Sequence, residues 1–107
     1  MGHVKGGEKM KALLINDRSV EEIEIENTLK ALQKAVDGCI ETVTLIGGYA
    51  VMIVNEEGLL LGMPSNLTAS AVAGRRIVGP ALVVGVDGEE FTDIPKDVER
   101  RIMARWG

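Results

Sequence analysis

The stretch from residue 40 to residue 63 constrains the fold most, because it predicts consecutive β-strands joined by tight turns. Two β-rich runs, 40–46 and 49–54, flank Gly47 and Gly48. A glycine pair favours a two-residue hairpin turn, since both central positions of a type I′ turn need positive φ. The second run, Y-A-V-M-I-V, is apolar on both faces and therefore predicts a central strand.

The second reversal of this stretch, N-E-E-G at residues 55–58, holds its compact cluster of polar side chains. Gly58 suits the left-handed position of a hairpin loop, and Asn55 can hydrogen-bond the turn backbone. The three leucines at 59–61 then predict a third strand, which ends before Pro64.

The N-terminal half predicts two more strands. Residues 11–16 form a short apolar run typical of a buried strand, whereas residues 20–26 alternate as a strand with one wet face does. Glu22, Glu24 and Glu26 share that wet face. Their carboxylates could bind a cation, but a charged edge strand that discourages edge-to-edge pairing is the favoured interpretation.

Two helices are predicted. The first covers residues 28–37, and the second is C-terminal, with Val98, Ile102 and Trp106 spaced four apart on one apolar stripe. Between them, residues 67–74 are rich in small side chains, which leaves a loop and one weak helical turn as alternatives.

Two further strands are expected at residues 77–86 and 89–92, joined by an Asp-Gly turn. The fold class is therefore α+β, a mostly antiparallel sheet of about five to six strands with two helices packed on it. The glycine-rich residues 1–9 read as a flexible N-terminal arm, and residues 10–107 as a single α+β domain.

Composition argues against several classes of function. Aromatic residues make up 3% of the chain and the formal net charge is −4, so neither a stacking platform nor a broad phosphate-binding face for nucleic acid is expected. Cys39 is the single cysteine, expected to be a buried and inert thiol, and it fits the reducing cytoplasm. No apolar run approaches the roughly 20 residues that a membrane-spanning helix needs.

The usual catalytic and metal-binding patterns are missing from the sequence. His3 is the single histidine, and it lies in the N-terminal arm. There is no phosphate-binding glycine loop, no G-x-S-x-G motif and no cluster of metal ligands. We therefore expect a non-enzymatic protein with no catalytic residue, no metal site and no cofactor.

Four segments carry a resemblance to a known family: M-K-A-L-L-I, G-C-I-E-T-V, N-E-E-G-L-L-L-G-M-P-S-N and G-P-A-L-V-V-G. They resemble a small family of unknown function found largely in bacteriophages, plasmids and integrated mobile elements of bacteria. The resemblance extends from Met10 to the C-terminal helix and implies a genetic setting, with the cytoplasm of a bacterial host as the location. It implies no activity. Leu67 stands where that family commonly has a basic residue, which weakens a phosphate-binding role for this loop.

Two functions remain open on these grounds. The first is an accessory protein of a phage or mobile element that binds and modulates a host protein, with Leu59, Leu60, Leu61 or Ile94 as contacts. The alternative is a protein that binds or sequesters a small nucleotide-type signal against host defence. Its ligand-binding candidates are Asn55, Glu56, Glu57, Asn66, Arg75 and Arg76. We also expect a homo-oligomer, because the nearly all-apolar strands leave many faces to cover in a small chain.

Overall fold

The computed structural model describes residues 8–45 and 47–107. Residues 1–7 of the predicted arm therefore lie outside the described residues, as does Ile46, and the first strand already includes Lys9. The elements in chain order are β1 (Lys9–Asn16), β2 (Ser19–Glu26), α1 (Leu29–Val36), β3 (Ile40–Thr44), β4 (Ala50–Asn55), α2 (Leu67–Ala73), β5 (Ala81–Asp87), β6 (Glu90–Thr92) and α3 (Lys96–Trp106).

The six strands form one antiparallel sheet in the order β2-β1-β5-β4-β3, and β6 pairs with β5. The α+β class and the antiparallel sheet are thus confirmed. Strand β4 lies between β5 and β3, as its apolar sequence predicted, and all six of its residues are buried. Strand β2 lies at one edge, where its alternating glutamates were expected.

Both faces of the sheet are covered, which explains why its middle strands are apolar on both sides. On one face, Leu32 and Val36 of α1 pack with Ile53, Leu82 and other buried side chains. On the other face, helices α2 and α3 contribute Ala69, Val98 and Ile102 to a second apolar cluster. Trp106 packs against that second cluster, so the predicted stripe of the C-terminal helix is confirmed.

The expectation of two helices was wrong, because the described residues form three. The additional helix is α2, in the segment left open as a loop or weak turn. Asn66 caps its N-terminus through a bond from the Ala69 amide, and Gly74 ends it with a left-handed φ of 71°. Ala69 is the buried residue of this helix, so the helix buries little apolar area. Its small side chains give the sequence only weak apolar periodicity.

The predicted strand at residues 59–61 was also wrong, since these residues lie in a compact turn. Three backbone bonds close it: Leu61 N to Glu57 O at 2.9 Å, Gly62 N to Leu59 O at 3.2 Å, and Met63 N to Gly58 O at 3.0 Å. Strand β4 already has β3 and β5 on its two sides, so a strand directly after it has no free side of β4 to pair with. We call residues 59–61 the leucine turn.

Two smaller expectations also need correction. The β3–β4 hairpin has a longer connection than two residues, because Leu45 N bonds Ala50 O at 3.0 Å and Gly48 N bonds Leu45 O at 3.0 Å. Cys39 is exposed instead of buried. It directly precedes buried Ile40, and successive residues of an extended chain point to opposite sides.

Helix α3 is attached to the sheet by polar contacts at its exposed side. The Tyr49 hydroxyl donates a hydrogen bond to Asp97 Oδ2 at 2.6 Å, which lowers the pKa of that carboxyl. Arg101 lies 3.5 Å from the same oxygen. Further along the helix, a side-chain hydrogen bond with Glu22 of β2 raises the pKa of Glu99, and burial raises it further.

The Glu22–Glu99 contact makes a prediction about stability and pH. Because the pKa of folded Glu99 is raised above its ordinary value of 4.5, folding opposes the ionised form. The wild type loses relative stability as pH rises through the raised pKa and regains it below 4.5. Glu99→Gln should therefore increase the free energy of unfolding at pH 7, and the gain should shrink towards acid pH in urea denaturation.

Glu24→Gln is the matched control, since Glu24 is an exposed carboxylate on the same strand as Glu22. The change in the free energy of unfolding caused by Glu24→Gln should be similar at pH 7 and at pH values below 4.5. A gain for Glu99→Gln that grows on acidification would contradict the prediction.

Candidate functional site

The leucine turn borders an open groove of about 310 Å³ at the Asn55 end of β4. The groove brings together five of the six residues expected to bind a ligand: Asn55, Glu56, Glu57, Arg75 and Arg76. The sixth, Asn66, does not line it and lies instead beside a separate depression with Asp17 and Pro80. The structure thus assembles one mixed-charge surface and leaves Asn66 out of it.

The chain returns to this groove through a short pairing of two loop segments. Asn66 N bonds Ile77 O at 2.9 Å, and Gly79 N bonds Pro64 O at 2.9 Å. The paired segments precede and follow helix α2 in the chain. Arg75 and Arg76, just before the second segment, line the groove together with the N-E-E-G turn. This approach was not expected from the sequence, although an Asn N-cap and a Gly C-cap on either side of the 7-residue helix α2 were a readable signal of that helix.

Asn55 holds the groove in shape and has little capacity left for a ligand. Its side chain is 5% exposed. The Nδ2 group donates to Val36 O at 3.0 Å and to Asp37 O at 3.1 Å, while Oδ1 accepts from Glu57 N at 2.7 Å. The predicted bond to the turn backbone is therefore present. Both donor protons of the amide and one acceptor position are used within the protein.

Asn66 is engaged in the same way and is more deeply buried, at 2% exposure. Its Nδ2 group donates to Ile15 O at 2.9 Å and to Gly79 O at 2.8 Å. Its Oδ1 accepts from Ala69 N at 3.0 Å and so caps α2. These bonds support a structural role for Asn66, which joins α2 to the end of β1.

The leucine turn presents three adjacent apolar side chains to solvent. Leu59 is 67% exposed, Leu60 is 86% exposed and Leu61 is 61% exposed. By contrast, Ile94, the other apolar contact considered from the sequence, is 4% exposed and packs in the core, so that expectation was wrong. Contiguous exposed apolar side chains on a small domain are typical of an interaction surface.

The backbone that leads into the leucine turn packs closely against Val78 at Gly58. A Cβ atom at Gly58 would lie 2.8 Å from Val78 Cγ2, so a larger residue would push the turn away from the β5 side. Gly58 is therefore needed because its backbone lies close to Val78. The left-handed conformation that the sequence predicted at Gly58 is found instead at Gly62, with φ of 70°. The leucines are thus presented on a backbone held by packing and hydrogen bonds.

The charges around the leucine turn are of both signs. Glu56 and Glu57 of the N-E-E-G turn are exposed and line the groove, as are Arg75 and Arg76 of the segment after α2. Glu41 of β3 adds a third carboxylate to the lining. Within residues 8–45 and 47–107, no ion pair joins these side chains to one another. The groove therefore presents exposed charges of both signs that are not paired with one another.

The groove combines solvent-exposed carboxylates and guanidinium groups with apolar side chains. Glu56 and Glu57 are exposed, and no group of three or more metal-ligating side chains occurs among the described residues. A catalytic carboxylate generally requires burial or a close like charge. A mixed-charge rim around apolar side chains is the anatomy of a protein–protein contact.

Comparison of the sequence with protein families gives a match over residues 10–107 to a family described as a domain of unknown function, DUF3846. The chain belongs to the DUF3846 family. This agrees with the resemblance to a family of unknown function. None of the curated proteins compared with this DUF3846 chain matches it.

One solved structure shares the fold of this DUF3846 protein. The crystal structure of small RNA methyltransferase HEN1 is similar with a TM-score of 0.64 and 17% sequence identity. The match covers 94% of this chain but 17% of that chain, so the DUF3846 domain spans a small part of the larger protein's length. At this identity the likeness shows the fold alone.

The buried amide of Asn66 makes a second prediction about stability. Asn66→Ala removes the α2 cap and leaves the carbonyls of Ile15 and Gly79 without their donor, so it should lower the free energy of unfolding by about 2–4 kcal/mol. Thr28→Ala removes a single cap bond, to Ala31 N, and should lower it by about 1 kcal/mol. Urea denaturation compares the two variants, and equal losses would contradict the additional role of Asn66.

Proposed function

We propose that this DUF3846 protein is a non-enzymatic binding protein that recognises another protein through the leucine turn and its charged surroundings. The observation that carries the proposal is the exposure of Leu59, Leu60 and Leu61, each more than 60% accessible in a chain with a well-filled core. Full burial of one such side chain contributes about 1.5–3 kcal/mol, so three adjacent leucines supply a substantial gross driving force for association.

The conformation of the turn supports the same function. Binding is weakened when a loop must be ordered on association, and a preformed loop avoids most of that loss. The leucine turn is closed by its own backbone bonds, and its base is held by Asn55 and by the packing of Gly58 on Val78. The exposed leucines therefore behave as anchors on a fixed support.

The charged rim supports selectivity of binding. Glu56 and Glu57 beside Arg75 and Arg76 favour a partner whose charges are arranged in the opposite order and disfavour partners with like charges at those places. An apolar centre with a charged rim gives affinity and orientation together.

We place this function in the setting that the sequence resemblance implies. The protein would act as an accessory protein of a phage or mobile element in the cytoplasm of a bacterial host, where it binds and modulates a host protein. Among the described residues, no helix is long and apolar enough to cross a membrane.

The proposal predicts a position-specific loss of binding. Tagged protein is used to capture partners from bacterial lysate, and the enriched partner is then purified and titrated by calorimetry. Leu60→Asp should weaken its binding at least about tenfold, or about 1.4 kcal/mol, because a charge replaces an apolar anchor. Calorimetry with the purified partner separates direct binding from co-purification.

Leu29→Asp is the matched control, since Leu29 is 49% exposed on α1 and α1 covers the sheet face opposite α2 and α3. It makes the same chemical change away from the leucine turn and should leave the affinity within about twofold. Equal losses in the two variants, or no loss in either, would argue against the turn as the binding surface.

A second candidate, binding of a small nucleotide-type ligand, keeps one specific support: Arg75 and Arg76 line the groove together and could contact phosphate. The amides of Asn55 and Asn66 support it less, because their hydrogen bonds are made within the protein. The carboxylates of Glu56 and Glu57 in the same groove would repel an anion.

Native mass spectrometry of protein purified from bacteria tests this second candidate. A nucleotide-type ligand should appear as an added mass of a few hundred daltons that is lost on denaturation and absent from Arg75→Ala/Arg76→Ala. Lys30→Ala/Lys34→Ala, which removes two exposed cations from α1, should retain it. An added mass that persists in the arginine variant would remove these arginines from the ligand site.

A further inference from the structure

We propose that the occupant of the leucine turn in the free protein is a second copy of this chain, so that self-association covers the binding surface. The inference rests on the proposed function, because it assigns a regulation to the same surface. It is carried by the charges around the turn, which are complementary to themselves when two copies meet face to face.

A two-fold interface uses the same patch on both subunits, so the patch must be complementary to itself. The groove beside the leucine turn satisfies this condition, because it carries an acidic pair, Glu56 and Glu57, and a basic pair, Arg75 and Arg76. In a face-to-face dimer the acidic pair of each copy meets the basic pair of the other. Two such contacts form, one on each side of the axis.

The side chains are free to make these contacts. All four are exposed, and no ion pair within the described part of the chain engages them. Glu41 adds one further carboxylate to the same groove, so the patch is slightly acidic overall and still carries both signs. A patch of a single sign would repel its own copy, whereas this one does not.

The apolar part of the patch fits the same occupant. Leu60, at 86% exposure, is the most exposed of the large apolar side chains among the described residues, and Leu59 and Leu61 flank it. Leucine packs well against leucine, and a two-fold axis through the turn brings six of them together from two chains. Each copy thus provides what the other requires, and a protein partner must compete with this association.

The charge arrangement allows a test that a simple loss of binding does not. Glu56→Arg/Glu57→Arg makes the groove mostly basic, and Arg75→Glu/Arg76→Glu makes it acidic. Each variant should repel itself and sediment with the mass of one chain, but a 1:1 mixture of the two should restore the mass of two chains. The unaltered protein should sediment with the mass of two chains at high concentration and dissociate on dilution, as measured by analytical ultracentrifugation.

Two controls fix the location of the contact. Leu60→Asp should weaken self-association at least tenfold, whereas Leu29→Asp should leave it within twofold. Lys30→Glu/Lys34→Glu reverses two exposed charges on α1 and should associate like the unaltered protein. Circular dichroism of every variant checks that the fold is retained.

Each outcome decides the inference. A single-chain mass at all concentrations overturns it, as does a dimer that survives Leu60→Asp or a mixture of reversed variants that fails to associate. None of these results contradicts the proposed function, which is tested separately by the effect of Leu60→Asp on the affinity for a purified partner. If the inference holds, the apparent affinity for that partner should fall as the concentration of this chain rises.

Discussion

Three buried asparagine side chains hold the connections of this protein against its sheet. Asn27, Asn55 and Asn66 are the buried polar residues among those described, at 2–5% exposure. Each amide donates to backbone carbonyls distant in sequence: Asn27 to Phe91, Asn55 to the end of α1, and Asn66 to Ile15 and Gly79. A buried carbonyl without a donor is strongly unfavourable, so these amides fix where helices and turns meet the strands.

The exposed surface at the leucine turn depends on two of these buried amides, those of Asn55 and Asn66. Asn55 and Gly58 hold the base of the leucine turn, and its three leucines are exposed. Because Asn66 caps α2, the segment that follows this helix returns beside the turn and brings the two arginines with it. Polar bonds inside the protein thus create an apolar surface outside it.

The sheet could be predicted from the sequence because alternation and continuous apolar runs report burial directly. The apolar β4 and the glutamate-rich β2 were therefore placed correctly as a central and an edge strand. Helix α2 and the leucine turn could not be identified in this way. Helix α2 has small residues and little apolar periodicity, and three leucines in a row read equally well as a strand until the pairing of β4 is known.

The pairing of β1 with β5 has a consequence for how the chain folds during synthesis. Leu13 pairs with Val83, far later in the chain, and β5 separates the N-terminal hairpin from β4. The hairpin of β1 and β2 can form early, but the inner edge of β1 stays unpaired until β5 has been made. A growing chain therefore carries an open, apolar strand edge until β5 has been made, and such an edge favours aggregation.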